Sequence, residues 1–112
     1  MILSIGTDIV KVDRIRDIIA QHPRFLTRFF THGEQTYFAN KTTVHIHAAG
    51  FFAAKEAAVK AAGGTVMNYE VVHEHSGKPH IVSRNPVVGT NLHLSISHEH
   101  EFAVAFVVYE KV

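Results

Sequence analysis

The spacing of apolar positions changes several times along the chain, and each change marks an element. Ile2-Leu3-Ser4-Ile5 reads as a short buried strand ended by Gly6, and Ile9-Val10 carries the apolar run past Thr7-Asp8. From Val12 the period becomes helical: Val12, Ile15, Ile18 and Ile19 share one face, Arg14, Arg16 and Asp17 turn outward, and Pro23 closes the helix. Phe25-Leu26 and Phe29-Phe30 read as a dense apolar linker. Thr31-His32-Gly33-Glu34 is a capping box: the Thr31 hydroxyl accepts from the amide three residues on while Glu34 reaches back, which starts a short helix through Tyr37-Phe38. Thr42-Thr43 to Ala62, rich in Ala, predicts the best helix of the chain, capped by Thr at its start and by Gly63-Gly64 at its end. Almost every side of it is apolar, so it is expected to be buried, and Lys55, Glu56 and Lys60 then need compensating partners.

In the last third the period falls to two. Tyr69, Val71 and His73 alternate with Glu70, Val72 and Glu74, and Ser76-Gly77 offers a tight turn into Lys78-Pro79-His80-Ile81-Val82, which together predict a hairpin. Arg84 to Asn91 is a loop. Leu92, Leu94 and Ile96 then alternate with His93, Ser95 and Ser97, and Phe102, Val104, Phe106 and Val108 form a second alternating strand after His98-Glu99-His100-Glu101. These elements predict one α+β domain over residues 1–112, an antiparallel β-sheet packed against a long buried α-helix and shorter helices.

Composition narrows the class. A chain of 112 residues buries about two-thirds of its unfolded surface, enough for one core, with subunit contacts a plausible further source of stability. The absence of Cys excludes a disulfide scaffold and Cys-based zinc sites, and makes a reducing, cytoplasmic setting the default expectation. The first eight residues lack a basic start and meet Asp8 before a signal-peptide core could form, and no run approaches the roughly 20 apolar residues of a membrane span. Neither membrane nor nucleic acid is an expected partner. Lys+Arg total 11 against 10 Asp+Glu, so the total charge names no partner. Its distribution says more: Lys11, Arg14, Arg16, Arg24 and Arg28 crowd one early segment that holds only Asp13 and Asp17, which predicts a local basic surface.

Three residues stand out as candidate chemistry. Glu56 and Lys60 lie one helical turn apart, and such a pair is ordinarily a surface ion pair; the apolar Phe52, Ala57, Ala58 and Val59 around it leave little polar surface for that reading. Asp8 is disfavoured in a strand and is either a turn-maker or a ligand on a rigid element. If its strand packs against the helix of Glu56, two carboxylates and one ammonium converge. One or two carboxylates, with water and substrate phosphate completing the shell, is how proteins usually hold Mg²⁺.

Gly6-Thr7-Asp8-Ile9-Val10, Phe52-Ala53-Ala54-Lys55-Glu56-Ala57 with Lys60, Ser76-Gly77-Lys78-Pro79 and Leu94-Ser95-Ile96-Ser97-His98 occur in this order, and together they resemble holo-[acyl-carrier-protein] synthase, the small group of 4′-phosphopantetheinyl transferases. The resemblance implies transfer of the 4′-phosphopantetheine arm from coenzyme A to a serine of apo acyl carrier protein, releasing adenosine 3′,5′-bisphosphate. It makes Asp8 and Glu56 the Mg²⁺ ligands and Lys60 the cation beside the diphosphate. Gly77, Lys78, Pro79, Ser97 and His98 become coenzyme A contacts. It further implies a homotrimer with sites between subunits, Ser97 and His98 coming from the neighbour of the subunit that carries Asp8 and Glu56. The first helix would dock the acidic carrier through Arg14, with Arg24, Arg28 and an apolar anchor at Phe25 in support. The chain departs from the family at Phe51, where Arg is usual, so the contact to the nucleotide's 3′-phosphate is open; Lys41, His45, His47, His80 and Arg84 are the positions that could replace it. Two readings compete with the enzyme. The ten His could serve a transition-metal-binding protein, since His73 and His75 share one strand face while His45 and His47 diverge on a helix. A non-catalytic docking module for an acidic protein would use Arg14 and Arg24 but give no reason for Asp8, Glu56 and Lys60.

Overall fold

Gly6 decides how the N-terminal strand meets the long helix. In the computed structural model, which describes residues 1–112, strand β1 (Ile2–Lys11) runs unbroken through Gly6 and Asp8 and does not stop at the glycine. It lies directly on helix α4 (Val44–Ala62), and a Cβ placed on Gly6 would stand 2.0 Å from the carbonyl oxygen of Ala57 and 3.0 Å from the amide nitrogen of Ala61. Only a hydrogen fits, because both obstacles are backbone. Gly6→Ala is therefore expected to cost about 1–3 kcal/mol, read as a lower denaturant midpoint, by prising β1 off α4.

Helix α1 (Val12–Gln21) follows β1 without a linker, its first amide bonded to the carbonyl of Glu101 at 2.8 Å. The expected apolar linker is a five-residue helix, α2 (Phe25–Phe29), whose rings join Phe30, Phe38 and Phe52 in an aromatic cluster at the core. Helix α3 (His32–Ala39) begins at the expected capping box, with Thr31 accepting from the Glu34 amide at 3.2 Å and Glu34 accepting from the Thr31 amide at 2.8 Å. Thr43 holds the N-cap place of α4 but makes no side-chain cap there, contrary to expectation; Gly63 ends the helix at φ +86°, donating to the Val59 carbonyl.

The strands form two antiparallel sheets where one was expected. Strand β2 (Tyr69–His73) pairs only with β3 (Pro79–Ser83), the hairpin turn passing through Gly77 at φ +89°. Strands β4 (Thr90–His98) and β5 (Phe102–Lys111) form the second sheet with β1, in the order β1-β5-β4. Its inner face sets Gly6, Asp8 and Val10 opposite Val107, Ala105 and Ala103, and the last three are wholly buried against α4. Ten residues of α4 are buried, among them Ala53, Ala54, Ala57 and Ala58, so small side chains let sheet and helix approach closely.

The outer face corrects the expectation of a buried first strand. Ile5, Thr7 and Ile9 of β1 lie opposite Val108, Phe106 and Val104 of β5, and Ile5 and Ile9 are each 63% exposed with Phe106 at 52%. The run Phe102 to Val108 is apolar on both faces, so its alternation alone gave no orientation. The same outer face on β4 carries His93, Ser95 and Ser97 and is polar. No helix is long and apolar enough to cross a membrane.

Candidate active site

Lys55 is the interior charge of α4, and Glu34 compensates it. Both side chains are fully buried, with Lys55 Nζ donating to Glu34 Oε1 at 2.6 Å and to the Phe29 carbonyl at 2.7 Å. Glu34 Oε2 accepts from the Val71 amide at 2.8 Å, so one carboxylate ties α3, α4 and β2 together. Burial pushes the Lys55 ammonium below its ordinary pKa, against the pull of Glu34. The pair is structural: it fixes the helix face on which the next residue, Glu56, is presented.

Glu56 and Lys60 do not pair with each other. Lys60 Nζ reaches across to β1, donating to the Thr7 carbonyl at 2.9 Å and to Asp8 Oδ1 at 3.2 Å. The Asp8 side chain is only 18% exposed, that of Lys60 55%. Asp8 and Glu56 line one recess together with Lys11, Arg14, Phe25 and Phe52. The strand carries Asp8 into it because residue 8 shares the helix-facing side with Gly6, where β1 presses onto α4. The Glu56 carboxyl is held above its usual pKa, first by burial and then by the negative charge of Asp8, with Lys60 opposing. Two carboxylates forced together in a recess is a donor set that suits a hard divalent cation such as Mg²⁺, which keeps water and phosphate oxygens in its remaining positions.

The other expected site residues fall elsewhere. Pro79 and His98 line a second recess with Tyr37, His47, Phe51 and His73, which shares no lining residue with that of Asp8 and Glu56. Gly77 and Lys78 sit exposed in the β2–β3 turn. Ser97 faces the outer side of the sheet, opposite Val104, whereas His98 faces the inner side, opposite Ala103; the strand's alternation separates the pair. Arg24 and Arg28 border an open groove between α1 and α2 with Ile18 and His22. Phe25 is 8% exposed and packed on Phe29, Phe30 and Phe52, so it is a core residue before it is an anchor. Arg16 is taken up by Asp13 and Asp17. Among the positions that could replace the usual Arg, His47 reaches the second recess, His80 pairs with Glu74, and Arg84 donates to the Met67 carbonyl.

Nothing in the structure gathers the histidines into a metal centre: no group of three or more His, Cys, Asp and Glu could hold a metal ion. His73 is instead stacked on Tyr37, ring centroids 4.4 Å apart. The partnership of Glu34 with Lys55 is what sequence reasoning did not place; the unexplained buried charge at Lys55 was the signal for it.

Comparison with known proteins gives the chain a family. A model of the 4′-phosphopantetheinyl transferase superfamily matches residues 4–107. The holo-[acyl-carrier-protein] synthase of Protochlamydia amoebophila is 40% identical over 97% of this chain and 98% of its own, and that of Halalkalibacterium halodurans 39% over 100% and 98%. Among solved structures, the Bacillus anthracis synthase in complex with coenzyme A (3′,5′-ADP) is 35% identical, with a TM-score of 0.87 over 100% of this chain and 99% of that one. The Neisseria meningitidis synthase is 33% identical with a TM-score of 0.86, covering 99% and 100%. With the fold, the order of the motifs and the likeness all extending over nearly the whole chain, it belongs to the 4′-phosphopantetheinyl transferase superfamily and, within it, to the holo-[acyl-carrier-protein] synthases.

Proposed function

We propose that the chain transfers 4′-phosphopantetheine from coenzyme A to a serine hydroxyl of apo acyl carrier protein and releases adenosine 3′,5′-bisphosphate. The observation that carries this is the meeting of Asp8 from β1 and Glu56 from α4 in one recess, with Lys60 bonded to Asp8 beside them. In the reaction the serine oxygen bonds to the phosphorus on the pantetheine side of the diphosphate, the bridging P–O bond breaks, and the serine proton is lost. Such a transfer needs positioning and charge neutralisation more than covalent help. Asp8 and Glu56 are the residues to hold Mg²⁺, which when bound supplies charge neutralisation on the diphosphate oxygens. Lys60, half exposed on its stem, can leave Asp8 and meet the negative charge that builds on the departing phosphate. Arg14 and Lys11 line the same recess and add positive potential at its mouth.

A homotrimer fits two features. The outer face of β1 and β5 leaves Ile5, Ile9 and Phe106 uncovered, and the recess of His98 is separate from that of Asp8 and Glu56, so a second copy seated on that face can bring its own His98 recess toward the first copy's Asp8 and Glu56. The basic rim of α1 and α2 suits an acidic carrier, with Arg14 and Arg24 in no ion pair. Incubation with coenzyme A, Mg²⁺ and apo carrier, followed by mass spectrometry of the carrier, tests the reading: added mass of one phosphopantetheine supports it, and an unmodified carrier rejects it. Arg14→Glu is expected to lower kcat/KM for the carrier about tenfold at low salt, with the deficit shrinking as salt rises.

A further inference from the structure

Strands β3 and β4 lie side by side yet belong to different sheets, and no backbone hydrogen bond crosses between them. The β2–β3 hairpin is tied down on its other side, where Thr31 donates to Glu70 and the Val71 amide donates to Glu34. Its β3 side meets β4 through packing alone, so the seam between these two strands is where the fold yields most easily. A cavity of about 270 Å³ opens at the base of the seam, over the end of α4. Tyr69, Ile81 and Ser83 line it from the hairpin, Asn85 from the connecting loop, and Thr90 and Tyr109 from the larger sheet. No carboxylate, ammonium, guanidinium or imidazole lines it, so an ion entering would give up its water with no opposite charge to meet. Three of the polar groups are taken by the fold: the Tyr69 hydroxyl donates to the Gly63 carbonyl at 2.6 Å, the Thr90 hydroxyl to the Val87 carbonyl at 2.6 Å, and the Ser83 hydroxyl accepts from the Asn85 amide at 3.2 Å. The Tyr109 hydroxyl and the Asn85 side-chain amide make no hydrogen bond within the chain and are left for a guest. The volume is that of about nine water molecules, room for one ring with a small substituent and too little for a nucleotide.

We infer that this cavity binds an uncharged one-ring molecule bearing an amide or hydroxyl, and that the guest sets the spacing of β3 and β4 along the whole seam. A guest bonded to Tyr109 of β5 and Asn85 of the loop fastens the hairpin to the larger sheet, a link that the backbone does not supply. The far end of the same seam is the recess of His98, lined by Pro79 from β3 and by Ile96 and His98 from β4, about 20 Å along β4 from Leu92. Of the possible widths of the seam the guest favours one, and the walls of that recess shift with it. The cavity is separate from the carboxylates: Ala62, which lines it, lies two residues beyond Lys60 and so across the helix from it. A guest there acts on the shape of the molecule without entering the recess of Asp8 and Glu56.

Benzamide and benzoate share a shape and differ in charge, and NMR titration of the intact, isotope-labelled protein with each reads the inference without coenzyme A or carrier. Benzamide is expected to bind with a Kd of about 1 mM or below, the range open to so small a ligand. Its titration should move the amide signals of Tyr69, Ile81 and Thr90 and, along the same binding curve, those of Ile96 and His98, which the guest does not touch. Benzoate should bind at least about tenfold more weakly, since its charge has no partner in the cavity. Tyr109→Phe is expected to weaken benzamide about 3–10-fold, the loss of one hydrogen bond, while the spectrum of the free variant keeps the parent's dispersion. Absence of binding, equal binding of benzamide and benzoate, an unchanged Kd in Tyr109→Phe, or signal changes confined to the cavity would each overturn the inference. No transfer is measured, so failure of the proposed reaction and failure of this site are read in separate experiments.

Discussion

Lys55→Met is expected to destabilise the protein by about 3–5 kcal/mol, a large share of the roughly 5–15 kcal/mol that holds a domain of this kind together. The replacement keeps the volume of the side chain but strands the Glu34 carboxylate, which is 0% exposed and keeps only the amides of Thr31 and Val71 as donors. It also leaves the Phe29 carbonyl without its 2.7 Å partner. The double variant Lys55→Met with Glu34→Gln removes both charges, and it should recover part of the loss because no uncompensated ion stays inside. Denaturant unfolding of the parent, the single variant and the double variant checks both statements. A single variant as stable as the parent would mean that the buried ion pair contributes nothing.

Glu56→Gln is expected to lower the rate of phosphopantetheine transfer by about 10²–10³-fold, the several kcal/mol that a bound metal ion supplies to such a reaction. Folding should survive, since the Glu56 carboxyl has no hydrogen bond in the fold to lose and its ionisation is opposed by burial and by Asp8. The sign on stability follows. A carboxyl whose folded pKa lies above its unfolded value binds more protons in the native state, so stability falls as pH rises through that range. The Gln variant lacks this term and should show a shallower decline of Tm from acid to neutral pH. It should also lose any stabilisation by Mg²⁺, which thermal unfolding with and without the ion would reveal.

Much of this site can be read along the chain because its parts are local. Glu56 and Lys60 are spaced by one turn of a helix that Ala content and terminal glycines announce, and the capping box at Thr31 and Glu34 fixes α3. The long-range pairings are another matter. Glu34 serves as cap, as ion-pair partner and as acceptor for Val71, and only its capping role leaves a local pattern. Helix α2 was hidden because five residues rich in Phe, with no side-chain cap, owe their helix to packing against the aromatic cluster and not to propensity. Gly6 read as a stop because glycine usually interrupts a strand, whereas here it admits α4. The convergence of Asp8 with Glu56 depended on that crossing, so the pattern could pose it only as a condition. The opposite facing of Ser97 and His98 was already implicit in the alternation of β4.

A crystal grown with Mn²⁺ and coenzyme A tests the shared cation most directly. The expected anomalous difference map has one peak between the carboxylates of Asp8 and Glu56, at about 2.0–2.5 Å from an oxygen of each, with diphosphate oxygens on its open side. A map with no peak between them, or with the ion on the histidines beside Tyr37, would contradict the assignment of both carboxylates and with it the proposed chemistry.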